Sequence, residues 1–307
     1  MGTPDFAVPS FEALVREGYN VIGVVTQPDR PKGRKQELTP PPVKVAAQKL
    51  GLPVYQPEKL RDPEAVEKVL ALGPDLIVTA AYGQILPEAI LNAPKFGCIN
   101  VHASLLPKYR GGAPIHHAII NGEKETGVTI MYMVKALDAG DIITQRSIPI
   151  TEADHVGTMH DKLSLLGAEL LTEILPPLLQ GKVKAVKQEE SQVTYAPNIT
   201  REDEKIDWSR SAVELWNQVR GLHPWPVAFT TWRDKPFKIW WAEPIAEHSP
   251  AKPGTVVRVD ETGIFVATGN GLLLLKEVQP AGKRRMPVAE FVRGRQMTVG
   301  EQLGDTK

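Results

Sequence analysis

Residues 97–107 read Gly-Cys-Ile-Asn-Val-His-Ala-Ser-Leu-Leu-Pro, and the reading of this stretch decides the fold. Gly97 to Val101 is a short apolar run of the kind that forms a buried strand. Asn100 and His102 stand two positions apart within and just after it. In extended backbone, residues i and i+2 share a face, so an amide and an imidazole leave the strand end side by side. Ser104-Leu105-Leu106-Pro107 continues as a loop, prolonged by Lys108 to Pro114. Polar groups at the carboxyl end of a parallel strand sit where open α/β sheets hold ligands. Taken alone, the pair is also what a turn-capping Asn and an ordinary strand-end His look like.

Working upstream, Asp75 to Ala80 (DLIVTA) is a second strand of the buried type, followed by Ala81-Tyr82-Gly83-Gln84-Ile85-Leu86-Pro87. Helices are expected near Val43 to Leu50 and Pro63 to Leu72, with a short strand at Val54 to Gln56 between them. Residues 27–44 form a long loop rich in Pro, in which Arg30, Lys32, Arg34 and Lys35 concentrate positive charge. Val21 to Thr26 reads as a strand and Val8 to Glu17 as a helix. Gly2-Thr3-Pro4-Asp5 reads as a turn leaving a strand, yet no strand precedes it. An inner strand of a parallel sheet buries four or five aliphatic side chains, roughly 6–15 kcal/mol. The expectation is therefore that Met1 is not the native start and that the opening strand is encoded upstream.

Downstream, Ala113 to Asn121 and residues 155–179 read as helices, the second stopped by Pro176-Pro177. Val128 to Val134 and Asp141 to Ile150 read as strands separated by the tight turn Ala136-Leu137-Asp138-Ala139-Gly140. Strands alternating with helices predict an α/β chain with a mainly parallel sheet. After about residue 185 the pattern changes. Residues 187–207 are polar and without period, which reads as a linker. Ser211 to Val219 suits a helix. Short runs follow at Ala228–Trp232, Phe237–Ala242, Gly254–Val259, Gly263–Thr268 and Gly271–Val278, the signature of a small antiparallel barrel.

Composition bounds what such a chain does. With 307 residues, 42% hydrophobic and 23% charged, it suits two soluble globular domains. The formal net charge is zero, so a nucleic-acid partner needs a local basic patch. Cys98 is the only cysteine, which excludes an internal disulfide and a cysteine-rich zinc site and fits a reducing cytoplasm. No stretch reads as a signal peptide, and no apolar run approaches about 18 residues. Dinucleotide, phosphate-loop, nucleophile-elbow and paired-cysteine motifs are absent. His116 and His117 are adjacent, which on a helix is poor metal-ligand spacing, so no metal is expected. What remains near the strand end is Asn100, His102 and Asp138, with Asp141 as the rival carboxylate. An Asp orients a histidine, and an Asn amide donates to an oxyanion. Without an activated Ser or Cys, direct transfer between two bound substrates is favoured over a covalent enzyme intermediate.

The motifs GTPDFAVP at 2–9, TQPDRPKGR at 26–34, AYGQILP at 81–87, GCINVHASLLPKYRGGAPI at 97–115, ETGVTIM at 125–131, LDAGDI at 137–142 and HPWP at 223–226 point one way. The chain resembles the folate-dependent formyltransferases, and within them the members that act on methionyl initiator tRNA. The likeness runs from Gly2 to roughly residue 295. It implies a Rossmann-like folate-binding catalytic domain over 1–186, with its first strand missing. It further implies a linker over 187–207 and an OB-like tRNA-binding β-barrel over 208–307. The implied reaction moves the formyl group of 10-formyltetrahydrofolate to the α-amino group of the methionyl ester. Asn100, His102 and Asp138 match the catalytic three. Ser104, Leu105, Leu106 and Pro107 match the folate-contacting loop, and Tyr82, Gly83, Ile85 and Leu86 the pterin-pocket segment. Arg34 matches a basic residue approaching the tRNA acceptor end, and Arg30, Lys32 and Lys35 accompany it. Lys283, Arg284 and Arg285 are read as a second tRNA contact, with a solvated turn as the plain alternative. The same two readings hold for Arg293-Gly294-Arg295. A monomer in the cytoplasm is expected. Two other readings stay open here: a formyltransferase for a small-molecule amine, and a tRNA-binding protein impaired in turnover.

Overall fold

In the computed structural model, which describes residues 1–294 and 296–305, the chain divides into two units. One comprises Met1–Pro114, Glu125–Pro149 and His160–Ala196; the other comprises Ile115–Lys124, Ile150–Met159 and the described part of Pro197–Lys307. Arg295 of the Arg-Gly-Arg cluster lies outside the described residues.

In chain order, the first part runs α1 (Val8–Arg16), β1 (Val24–Val25), β2 (Arg30–Lys32), β3 (Glu37–Thr39), α2 (Pro42–Lys49) and β4 (Val54–Tyr55). It continues α3 (Pro63–Ala71), β5 (Ile77–Thr79), α4 (Glu88–Leu91), β6 (Cys98–His102), α5 (Pro114–Ile120), β7 (Glu125–Tyr132), β8 (Ile142–Pro149) and α6 (Val156–Leu179). Helices α1, α2 and α3 each carry Pro in the first turn. There the missing N–H is one of the helix's orphan donors and φ is already set. Pro176 and Pro177 do not stop α6; it runs two residues further, to Leu179.

The sheet of this unit is mixed rather than mainly parallel. β1 pairs with β4 and β5 with β6 in parallel, but β7 and β8 add in antiparallel fashion, giving the order β5-β6-β7-β8. Only residues 133–141 join β7 to β8, too short a connection for the crossover that parallel strands need. Gly2 stands between the two halves. It bridges Ala80, and its N–H donates to Val25 O at 3.1 Å. A Cβ there would lie 2.7 Å from Ala7 Cβ and 2.8 Å from Ala80 O. Beyond Gly2, residues 21–23 and 75–78 face a largely apolar cavity of about 530 Å³, also lined by Leu14 and Leu175. The ladder of β1 extends over only two residues. Val25, Leu60, Ile77, Ile90 and Cys98 form the core beside it.

The basic stretch 27–44 is not a plain loop. Arg30↔Thr39 and Lys32↔Glu37 pair in a hairpin, turned by Gly33 and Gln36 at positive φ. Its residues 30–38 are all exposed.

The second unit continues α7 (Arg201–Glu204), α8 (Ala212–Gly221), β9 (Ala228–Trp232), β10 (Lys235–Ile245), β11 (Val256–Asp260), β12 (Gly263–Ala267), β13 (Leu272–Pro280), β14 (Met286–Pro287) and α9 (Val288–Arg293). A capping box, Ser211 with Glu214, starts α8. The strands form one antiparallel sheet in the order β11-β12-β13-β10-β9, with β14 on β13. Among the described residues no ladder joins β9 to β11, so the pairing does not close into a barrel. Phe237, Ile239, Leu215, Val266, Leu273 and Phe291 fill the core against α8 and α9.

Residues 187–207 are built into the two units rather than strung between them. Val186 bridges Ile142 and Tyr195 bridges Arg110, while Lys205 bridges Phe229 and Ile206 is buried. Most of these residues are exposed, which accounts for the polar composition, while Gln188, Ala196 and Ile206 are buried. Arg220 explains why residues 150–159 cluster with the second unit: its Nη1 donates to Thr151 O at 3.0 Å and Asp154 O at 3.3 Å.

Candidate active site

β6 lies between β5 and β7, so its backbone is paired on both sides and its carboxyl end is held firmly. Asn100 is half-buried and His102 is 6% exposed. Thr79, the parallel partner of Asn100 across the ladder, places its Oγ1 at 2.7 Å from Asn100 Oδ1. With the hydroxyl donating to Oδ1, the two N–H bonds of the carboxamide remain for another acceptor.

His102 Nε2 lies 2.9 Å from Tyr109 O. A carbonyl only accepts, so Nε2 carries the proton, and in the neutral ring Nδ1 holds the lone pair. Nδ1 faces Asp138 Oδ2 at 3.8 Å, too long for a hydrogen bond and close enough for strong attraction once the ring is charged. Asp138 sits in the left-handed region at φ +49° with its side chain 13% exposed. Its Oδ2 accepts from Gly111 N at 2.8 Å. Asp141 offers its carbonyl to Tyr132 N at 3.0 Å, and its residue is exposed.

The turn that carries Asp138 depends on Gly140. A Cβ at that position would fall 1.7 Å from Tyr132 O. Gly111 is at φ +125°, and a Cβ there would fall 2.5 Å from Ala196 O. Both glycines permit backbone approaches that no side chain allows.

The loop after β6 is held by Thr129 of β7. Thr129 Oγ1 donates to Ser104 O at 2.7 Å and accepts from Leu106 N at 3.1 Å and Gln145 Nε2 at 2.8 Å. Ser104 and Leu106 are buried, whereas Leu105 and Pro107 are half-buried. Within residues 81–87 the same division recurs. Tyr82 and Leu86 belong to the core, with the Tyr82 hydroxyl pushed up to about 12 by burial, while Gly83 is exposed and Ile85 is 84% exposed. Gln84 ties this segment to Gln27 Oε1 at 2.9 Å, and Thr3 Oγ1 donates to Tyr82 O at 2.7 Å.

The proposed tRNA residues are all exposed, and several are already paired. Arg30 meets Glu58 at 3.0 Å, Arg284 meets Glu290, and Arg285 meets Glu277 while stacking 4.2 Å from the Trp240 ring. Such partners reduce the local positive potential. Among residues the sequence did not single out, Thr79, Gly111, Thr129 and Gln188 organise the site. Thr79 had a signal, being in the strand next to β6; Gln188 had none.

The end of β6 thus carries an oriented carboxamide and an imidazole that faces a carboxylate. The family model for formyl transferase matches residues 1–175, and the model for its C-terminal domain matches residues 198–296. The chain belongs to the formyl transferase family. It is 60% identical to the methionyl-tRNA formyltransferase of Bacillus subtilis (strain 168), over 99% of this chain and 96% of the relative. It is 59% identical to that of Geobacillus sp. (strain WCH70), over 99% of this chain and 97% of the relative. Among solved structures, an N-formyltransferase from Helicobacter canadensis in complex with folinic acid and dTDP-3-aminofucose has a TM-score of 0.65 at 19% identity, covering 91% of this chain and 97% of that one. At that identity the likeness concerns the fold.

Proposed function

We propose that this chain transfers the formyl group of 10-formyltetrahydrofolate to the α-amino group of methionyl initiator tRNA. The observation that supports the reading is His102 facing Asp138 at the end of β6, with Asn100 two residues earlier on the same strand, in a chain 59–60% identical to methionyl-tRNA formyltransferases along almost its whole length. A free α-amine has a pKa of about 7.7–8.0, so a useful fraction is uncharged at neutral pH. The amine attacks the formyl carbon, the new N–C bond forms, and an oxyanion develops. Asn100 Nδ2 donates to that oxygen, its amide oriented by Thr79. His102 Nδ1 takes the amine proton, directly or through one water, and Asp138 stabilises the imidazolium. Collapse of the tetrahedral species breaks the bond from carbon to the folate nitrogen, which takes back the proton held by the His102 imidazolium and leaves as a neutral amine.

Asp138, rather than Asp141, is assigned this role because its carboxylate faces His102, whereas Asp141 is exposed. The folate is read as lying against Leu105, Pro107, Gly83 and Ile85, since a partly exposed aliphatic surface beside backbone polar groups suits a flat, hydrogen-bonding ring. Ser104, Leu106, Tyr82 and Leu86 support that surface from beneath. Arg30, Lys32, Arg34 and Lys35 on the hairpin, with Lys283, Arg284 and Arg285, are assigned to tRNA phosphates. The protein is taken to act as a monomer in the cytoplasm. In keeping with a reducing compartment, the Cys98 thiol is buried and pushed up to about 11, leaving it unreactive.

The test is to incubate the purified protein with charged initiator tRNA and formyl donor and to assay formylmethionine. Formylation supports the reading. Formyl transfer to a small amine with indifference to tRNA would replace it, as would tRNA binding without turnover.

A further inference from the structure

We propose that Gln188, backed by Arg110, is a positioning residue that holds Asp138 at His102. The proposal rests on the reading of Asp138 given above. Gln188 and Arg110 are each 4% exposed. Gln188 Nε2 donates to Asp138 O at 2.7 Å and to Gly140 O at 2.8 Å. Its Oε1 accepts from Arg110 Nε at 3.1 Å and from Arg110 Nη2 at 2.8 Å. Chemistry leaves this amide one orientation: two carbonyls only accept, and a guanidinium only donates. Every hydrogen and lone pair of the side chain is used.

The arrangement grips the Asp138 turn from two directions. Gln188 holds its backbone at residues 138 and 140, and Gly111 N holds the carboxylate itself. Both grips lead to one segment, because Arg110 immediately precedes Gly111. That segment is in turn pinned by Arg110 N to Thr194 O at 2.9 Å and Ala196 N to Arg110 O at 2.7 Å. Asp138 needs such support. Its left-handed φ is costly for a residue with a Cβ. The 3.8 Å separation from His102 Nδ1 also leaves no direct hydrogen bond to hold it. Arg110 gains a further anchor in Glu190 at 3.0 Å, so it keeps an anionic partner when Gln188 is changed.

Gln188→Glu is the incisive variant. It keeps an acceptor for Arg110 and replaces both N–H donors with oxygen facing two carbonyls. The expected result is a fall in kcat of about tenfold or more with KM for both substrates within about threefold, the split expected when an interaction made only in the transition state is removed. In an Asp138→Asn background the same change should cost less than about twofold, because residues acting as one unit are not additive. If Q188E does not fold, Q188M removes the same donors and should give the same split. Wild-type kcat in Q188E, or an undiminished loss in the D138N background, overturns the proposal while leaving the role of Asp138 intact. Wild-type activity in D138N alone overturns both.

Discussion

In the proposed mechanism, Asn100 and His102 divide the chemistry by what each atom is already doing. Asn100 Oδ1 is engaged by Thr79 and His102 Nε2 by Tyr109 O, which leaves Nδ2 and Nδ1 for substrate. Asn100→Ala should therefore lower the single-turnover formylation rate about 10²–10³-fold, or ~2.7–4 kcal/mol, as expected for one oxyanion donor. His102→Ala should lose a comparable factor, about 10²–10⁴, as a general base. Filter binding should find tRNA affinity unchanged in both. Thr79→Val tests the orientation of the amide: kcat should fall while Thr79→Ser stays near wild type. A Thr79→Val enzyme of normal rate would mean that the hydroxyl does not set the amide.

At the scale of elements, the turn between β7 and β8 and the hairpin β2–β3 make opposite predictions. Gly140 packs on Tyr132 O so closely that any Cβ must displace the turn. Gly140→Ala should cost roughly 1–3 kcal/mol in urea unfolding, the usual range for strained or overpacked sites, and should depress kcat as Asp138 moves. The hairpin makes no such demand. Lys32, Arg34 and Lys35 are exposed at its tip, so replacing all three by Ala should leave Tm unchanged. The KM for tRNA should rise, and the salt dependence of binding should become shallower in proportion to the phosphates no longer neutralised. Equal salt slopes for the two proteins would remove the hairpin from the tRNA interface.

For the whole molecule, pH provides a test in the second unit. His223 is half-buried, its Nδ1 2.8 Å from Trp240 O and its ring 4.6 Å from that of His155. Burial, and then repulsion from His155, hold His223 below the ordinary histidine range. The unfolded chain thus binds this proton more readily than the folded one. Its stabilising contribution is full above the unfolded value near 6.5 and is lost as pH falls toward the folded value. Urea unfolding at pH 7.5 and 5.5 should show lower stability at the acid end, and His223→Gln should narrow that difference. An unchanged pH dependence in the variant would assign it elsewhere.

Much of this was legible in the chain itself. The run at 97–101 with polar residues at 100 and 102 announces a buried strand with an amide and an imidazole near its end, because side-chain alternation is local geometry. The strands from Ala228 onward are bounded by Gly, Pro and Asp, and they fall almost where that punctuation places them. What tertiary structure alone decided is the partnering of these elements. The direction of β7 and β8 and the absorption of residues 187–207 into the two units depend on pairing between separate segments that no local period encodes. Gln188 is the sharpest case: a polar residue in an unpatterned stretch, it meets Asp138 and Arg110 across 50 and 78 positions of chain. Local sequence sets which backbone a segment prefers and which face is apolar. Which buried donor meets which acceptor is a property of the folded chain, settled only when every polar group taken from water must find its partner.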